Sequence, residues 1–163
     1  MNLEQCWRYY VKAEELNQNG HWPEAFHLYH DFLANLPDHL QAAMTGHSTK
    51  PCQLMCMLDG FKNATIHQAE ILNTLGKNEA AFKLLNQTYN FLQFMALEPF
   101  SLRPAVHDVL NDHSEALLQH IEAFCAAQRS ATWMLELEQI QRAHYHFHQL
   151  QQFRQSEPCS LMN

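Results

Sequence analysis

From Leu54 to Leu75 an apolar or uncharged side chain returns about every 3.5 residues, through Leu58, Phe61, Thr65, Gln68/Ala69 and Leu72. A stripe held over so many turns marks one face of an α-helix, and apolar partners must cover it. Trp7, Tyr10, Ala13 and Leu16/Asn17 mark an earlier helix from about Leu3 to Asn19, ended by Gly20. Ala25, Phe26, Leu28, Tyr29, Phe32, Leu33 and Leu36 give the next a broad apolar face. That helix starts near Pro23, a residue suited to a first helical turn, and Pro37 is expected to stop it. Asp38 to Met44 then reads as a short helix and Thr45 to Lys50 as a polar loop. The long helix opens at Pro51 with Thr49 as its N-cap, and Gly60 is the place for a bend.

Gly76 closes the long helix as Gly20 closes the first. A further helix runs from Asn78 or Glu79 through Leu85 and Leu92 to Met95. After Ser101 to Pro104, Val106, Val109/Leu110, His113, Leu117, His120/Ile121 and Phe124 share another face. Ser130 caps a last helix striped by Trp133, Leu137, Ile140, His144, Phe147 and Gln151. Only 4 Gly and 6 Pro occur in 163 residues, too few for a loop-rich or all-β chain. Leu, Ala, Gln, Glu and Met, all good helix formers, dominate instead. The expectation is an all-α protein with a single helical domain over residues 1–155 and a disordered tail over 156–163.

Residues Ala13 to Pro37 carry a small residue and a leucine (Ala13, Leu16), a turn glycine (Gly20), an aromatic (Trp22), Ala25, Tyr29 and a closing proline. That order and spacing resemble the helix-turn-helix unit of tetratricopeptide repeats. A weaker copy spans about Lys62 to Phe94. Aligning Gly76 with Gly20 sets Ala69 opposite Ala13, Leu72 opposite Leu16, Ala81 opposite Ala25 and Leu85 opposite Tyr29. The copies lie farther apart than the usual repeat of about 34 residues, so an insert of about 22 residues separates them. The last two helices lack the pattern and read as a divergent hairpin or a capping element.

The resemblance implies antiparallel helical hairpins stacked as a short right-handed solenoid with a divergent C-terminal hairpin. It sets Ala13 and Ala25 at a helix crossing, with Trp22 and Tyr29 packed around it. The first helix of each hairpin would line a concave groove, with Trp7, Tyr10, Glu14 and Asn17 from the first unit and Asn63, Ile66, Glu70 and Asn73 from the second. Such a groove suits a peptide or helix carrying apolar anchors and a basic residue. Family members that clamp acidic C-terminal tails use Lys and Asn where this chain has Tyr10 and Glu14, which disfavours that mode. Small secretion chaperones of about this length belong to the same family.

Net charge is −7, and the basic residues are scattered, so nucleic acid is not an expected ligand. Adding twelve protons, one per histidine, would take that charge from −7 to +5. Five cysteines, Cys6, Cys52, Cys56, Cys125 and Cys159, fit no disulfide framework and point to reduced thiols in a cytoplasm. The first residues lack the basic, apolar and small-residue regions of a signal peptide, and no run approaches about 18 apolar residues. A membrane is therefore not expected as a partner.

Three groups of residues could carry chemistry. Cys52 and Cys56 share a helix face near Met55, Met57 and His47, a soft donor set suited to Cu(I) or zinc, although spacing fixes only two ligands. His144 and His148, with His146 between them, could form a two-histidine clip. Glu24-x-x-His27 is half of a di-iron motif whose second half is missing. No phosphate loop, nucleophile elbow or zinc-protease helix occurs. The expected function is a non-enzymatic adaptor or chaperone without cofactor, binding a protein or peptide and able to form a homodimer. The alternative is a helical bundle holding a metal or small ligand at Cys52/Cys56 or the C-terminal histidines.

Overall fold

The computed structural model describes residues 1–46, 48–98 and 104–156. These form six helices, α1 (Leu3–Gln18), α2 (Trp22–Thr45), α3 (Pro51–Thr74), α4 (Asn78–Leu97), α5 (Pro104–Ala127) and α6 (Ala131–Ser156), and the described residues contain no strand. The chain divides into two compact units, Met1–Thr88 and Tyr89–Asn163, with the boundary inside α4.

Capping fixes the ends of α1. Asn2 Oδ1 accepts from the Gln5 backbone N–H at 2.8 Å, and Gln5 Oε1 accepts from the Asn2 N–H at 3.3 Å. This reciprocal box satisfies two otherwise orphaned donors. At the other end Gly20 takes φ +80°, so that His21 N–H reaches Leu16 O at 2.8 Å and Gly20 N–H reaches Asn17 O at 3.1 Å. Gly76 repeats this closure at the end of α3, with φ +76° and bonds from Lys77 to Leu72 and from Gly76 to Asn73. Both turns need the left-handed conformation that glycine adopts without a Cβ penalty. The third turn, after α5, places Arg129 at φ 49° instead.

Two boundaries differ from expectation. Pro37 does not end α2; the helix continues to Thr45 and absorbs the short helix expected over Asp38 to Met44. A proline inside a helix costs about 3 kcal/mol, because it removes one bond and crowds a carbonyl. Beyond it, however, Leu40 and Met44 extend the stripe of Ala25, Tyr29, Phe32 and Leu36, and all six are fully buried. Burying two such side chains contributes about 1.5–3 kcal/mol each, enough to offset the proline. At the start of α3 the N-cap is Lys50 rather than Thr49. Helix α6 reaches Ser156, the first residue of the expected tail; the remainder of that tail, with Cys159, and His47 lie outside the described residues.

In the first unit, α2 packs between α1 and α3. Ala13 and Ala25 are fully buried, as are Ala69 (4% exposed) and Ala81 to within a few per cent, so the small residues do lie inside. Trp22, expected around the crossing, stays 43% exposed. Helix α3 runs unbroken through Gly60, which serves an approach between helices: the Trp7 ring lies over it, where a Cβ would meet Trp7 Cζ3 at 2.9 Å and Cη2 at 3.0 Å. In the second unit Leu92, Leu110, Leu117, Ile121 and Cys125 build the core, capped by Leu137 and Ile140 from α6.

The Trp7–Gly60 contact makes a sign test. Alanine in a helix interior is favoured over glycine by about 1 kcal/mol. A Cβ at position 60 must push Trp7 off Tyr10 and Phe32, whose centroids lie 5.1 and 6.2 Å away. Overpacking of this kind costs about 1–3 kcal/mol. Gly60→Ala is expected to destabilise the protein by about 1 kcal/mol, and to stabilise it by about the same amount in a Trp7→Ala background. Urea denaturation of the four proteins in that cycle measures both signs.

Candidate interaction surface

Glu14 of α1, Tyr29 of α2 and His67 of α3 meet in the first unit. The Tyr29 hydroxyl donates to Glu14 Oε1 at 2.6 Å, and His67 Nδ1 lies 2.7 Å from the same oxygen and 3.2 Å from the hydroxyl. Tyr29 itself is fully buried. Burial, then the bond to Glu14 and its charge, push the phenol well above its ordinary 10.0. A proton held between a buried phenol and a carboxylate has nowhere cheaper to go.

The same region uses most of the residues expected to line a groove between α1 and α3. Tyr10 stacks on Phe32 at 5.0 Å and receives a hydrogen bond from Asn63. Its phenol is raised by burial and by the charges of Glu14 and Asp59, against which the Asn63 bond works. Asn17 is half-buried and bonds near Tyr29, and Ile66 is buried. Glu70 and Asn73 remain exposed. The pairs Trp7 with Gly60, Tyr10 with Asn63 and Glu14 with His67 show the register. These residues face one another across the α1–α3 contact, where the repeat alignment had set them side by side along an open wall. His67 carries no sequence signal because it lies off the repeat pattern and a lone histidine has no spacing, and Gly60, expected as a bend, serves instead as the seat of the Trp7 ring.

Open space lies instead at the end of the unit. A concave groove of about 1030 Å³ is bounded by Leu3 and Trp7 of α1, Ala42 and Ala43 of α2, and Cys52 and Cys56 of α3. Arg8, paired with Glu4, and His39, whose Nε2 lies 2.9 Å from Met1 O, mark its polar edges. Trp7 is thus the one groove residue from the sequence reading that also lines the observed cavity. Cys52 and Cys56 are free and exposed there, whereas Cys6 and Cys125 are free and buried. Burial raises the Cys6 thiol, and burial with the Glu136 charge pushes Cys125 up to about 11, so both are poor nucleophiles.

In the second unit His144 does not join His146 and His148. Its Nδ1 lies 2.5 Å from the Tyr89 hydroxyl and its Nε2 3.4 Å from Glu115 Oε2. Tyr89, fully buried, is raised above 10.0 by burial and then by the Glu115 charge. His148 accompanies Gln152 at 3.2 Å, and His146 and His27 are exposed. Among the described residues no three His, Cys, Asp or Glu side chains converge as a metal site would require. No described helix is long and apolar enough to cross a membrane.

Both buried phenols have raised values, so their contribution to stability is complete below about pH 10 and is lost as pH rises through the folded-state values. Tyr29→Phe is expected to cost about 1.5–3 kcal/mol at neutral pH, the range for hydrogen bonds to charged groups. The same variant should show a shallower loss of stability above pH 10 than the parent, as should Tyr89→Phe, when denaturation midpoints are followed across that range. Compared with family models, curated proteins and solved structures, the chain matches none of them.

Proposed function

We propose that this chain is a non-enzymatic protein-interaction module of the tetratricopeptide-like kind, a cytoplasmic adaptor or chaperone that seats an apolar-anchored segment of a partner protein against Trp7. The observation that carries the reading is the groove of about 1030 Å³ at the end of the first unit, walled by Trp7, two alanines and the sulfur-bearing side chains of α3. A half-buried tryptophan in a concave apolar site is the residue type that most often dominates binding energy at protein interfaces. Buried alanines at positions 13, 25, 69 and 81 support the hairpin pattern, and stacking of such hairpins as a short right-handed solenoid is part of the proposal. The four cysteines among the described residues form no disulfide, which suits a reducing compartment.

Cys52 and Cys56 provide a built-in reporter. In a Cys159→Ser background, thiol reagents should modify both rapidly and leave Cys6 and Cys125 unmodified until the protein unfolds. A photo-crosslinker attached at Cys52 is expected to trap one partner species in the native cell extract. Trp7→Ala should weaken that capture at least about ten-fold, the effect of removing an anchor worth about 2 kcal/mol. Unchanged capture by Trp7→Ala rejects this groove as the seat. Stoichiometric zinc or copper in protein purified without a histidine tag, lost on Cys52→Ser, would favour the metal-binding alternative. Trapping of a second copy of the chain, with concentration-dependent sedimentation, would make the interface a homodimer.

A further inference from the structure

A second cavity of about 380 Å³ lies wholly within the second unit, between α4, α5 and α6, and has a different chemistry. Its inner wall carries two buried amides, Gln93 (2% exposed) and Gln151 (5% exposed). Gln151 Nε2 donates to Gln93 Oε1 at 3.3 Å, which leaves Gln151 Oε1 buried with no hydrogen-bond partner. An unmet buried acceptor costs about 1–3 kcal/mol, so an N–H donor supplied from the cavity would recover that energy. Asp112 and Glu115 also line the cavity, and no lysine or arginine does. Asp112 has no ion-pair partner among the described residues. Glu115 is engaged by His144 through one oxygen only. Tyr145 adds an aromatic ring, of the type that attracts cations.

We propose that this cavity binds a small organic cation bearing N–H donors, an alkyl guanidinium or primary amine, with its donor on Gln151 and its charge near Asp112 and Glu115. The wall offers acceptors and negative charge, and two of its donors are engaged elsewhere: the Ser114 hydroxyl donates to Leu110 O at 2.8 Å, and His144 is held between Tyr89 and Glu115. A metal ion would need three converging ligands, which the described residues do not supply. An anion would meet two carboxylates. A guanidinium is planar, weakly hydrated and rich in donors, and so loses least on entering a pocket of this kind. A volume of about 380 Å³ falls at the small end of ligand cavities and sets the size class.

Calorimetric titration of the full chain with agmatine tests this, with choline as a cation that lacks N–H donors and succinate as an anion. Agmatine is expected to bind at one site, and choline and succinate are not. Gln151→Leu should weaken agmatine at least about ten-fold, the loss of one charge-assisted hydrogen bond, while in the ligand-free protein it exchanges the orphaned Gln151 acceptor for an orphaned Gln93 Oε1. Asp112→Asn, on an exposed residue unconnected to the core, should weaken agmatine several-fold with an unchanged circular dichroism spectrum, which keeps the test open if Gln151→Leu fails to fold. Absence of heat at millimolar agmatine overturns the proposal. So does equal binding of choline, or weakening by Asp112→Asn with none by a folded Gln151→Leu, since either would mean diffuse charge attraction.

Discussion

The hydroxyl of Tyr29 holds the first unit together. It sits in the first half of α2, fully buried, and reaches Glu14 on one flanking helix and His67 on the other. A buried phenol without partners would cost several kcal/mol, so it admits only arrangements in which α1 and α3 both present polar groups at that height. Once that height is fixed, the helical period sets the remaining contacts. One turn from Glu14·His67 lies Tyr10·Asn63, and one turn further Trp7 lies over Gly60. Only glycine leaves room for the indole there. The second unit uses the same three residue types: buried Tyr89 from α4, His144 from α6 and Glu115 from α5. In both units a polar bond fixes the register, which apolar packing alone leaves loosely defined.

Much of this architecture is local chemistry and can be read along the chain. The helices announce themselves because their apolar stripes keep one period over many turns, and Gly20 and Gly76 end them because the closing turn needs positive φ. The alanines at 13, 25, 69 and 81 are buried for the reason that makes them conspicuous, their size. What could not be read depends on energies summed over distance. Pro37 carries a strong local stop, and only the burial of Leu40 and Met44 against other helices overrules it. Arg129 takes a left-handed conformation without any local signal. Of the residues expected to line a groove, Trp7 alone also borders the cavity of the first unit. Tyr10, Glu14 and Asn63 look like groove residues because polar and aromatic groups on a first helix resemble a binding wall. Whether they face a ligand or another helix depends on the register between α1 and α3, which no short-range pattern encodes.

The same reasoning accounts for where the cavity is. In the expected array the first helices would leave their polar and aromatic side chains along a wall for a peptide. Here Tyr29 draws them into contact, and their facing residues bond to each other. Most of the segment between Pro37 and Lys62 is helical. Its first part prolongs α2 to Thr45 and its second part starts α3 at Pro51. Helices α2 and α3 therefore overshoot the Tyr29 contact together. Ala42 and Ala43 on one and Cys52 and Cys56 on the other flank a space that α1 reaches with Leu3 and Trp7. Small side chains on α2 keep that space open, and Pro37 sits where the extension begins. The extra residues thus supply two of the three walls of the groove, with Trp7 joining it to the repeat. A change in their length would remove the groove without touching the Tyr29 bond, so that bond and the groove reside in separate parts of this unit.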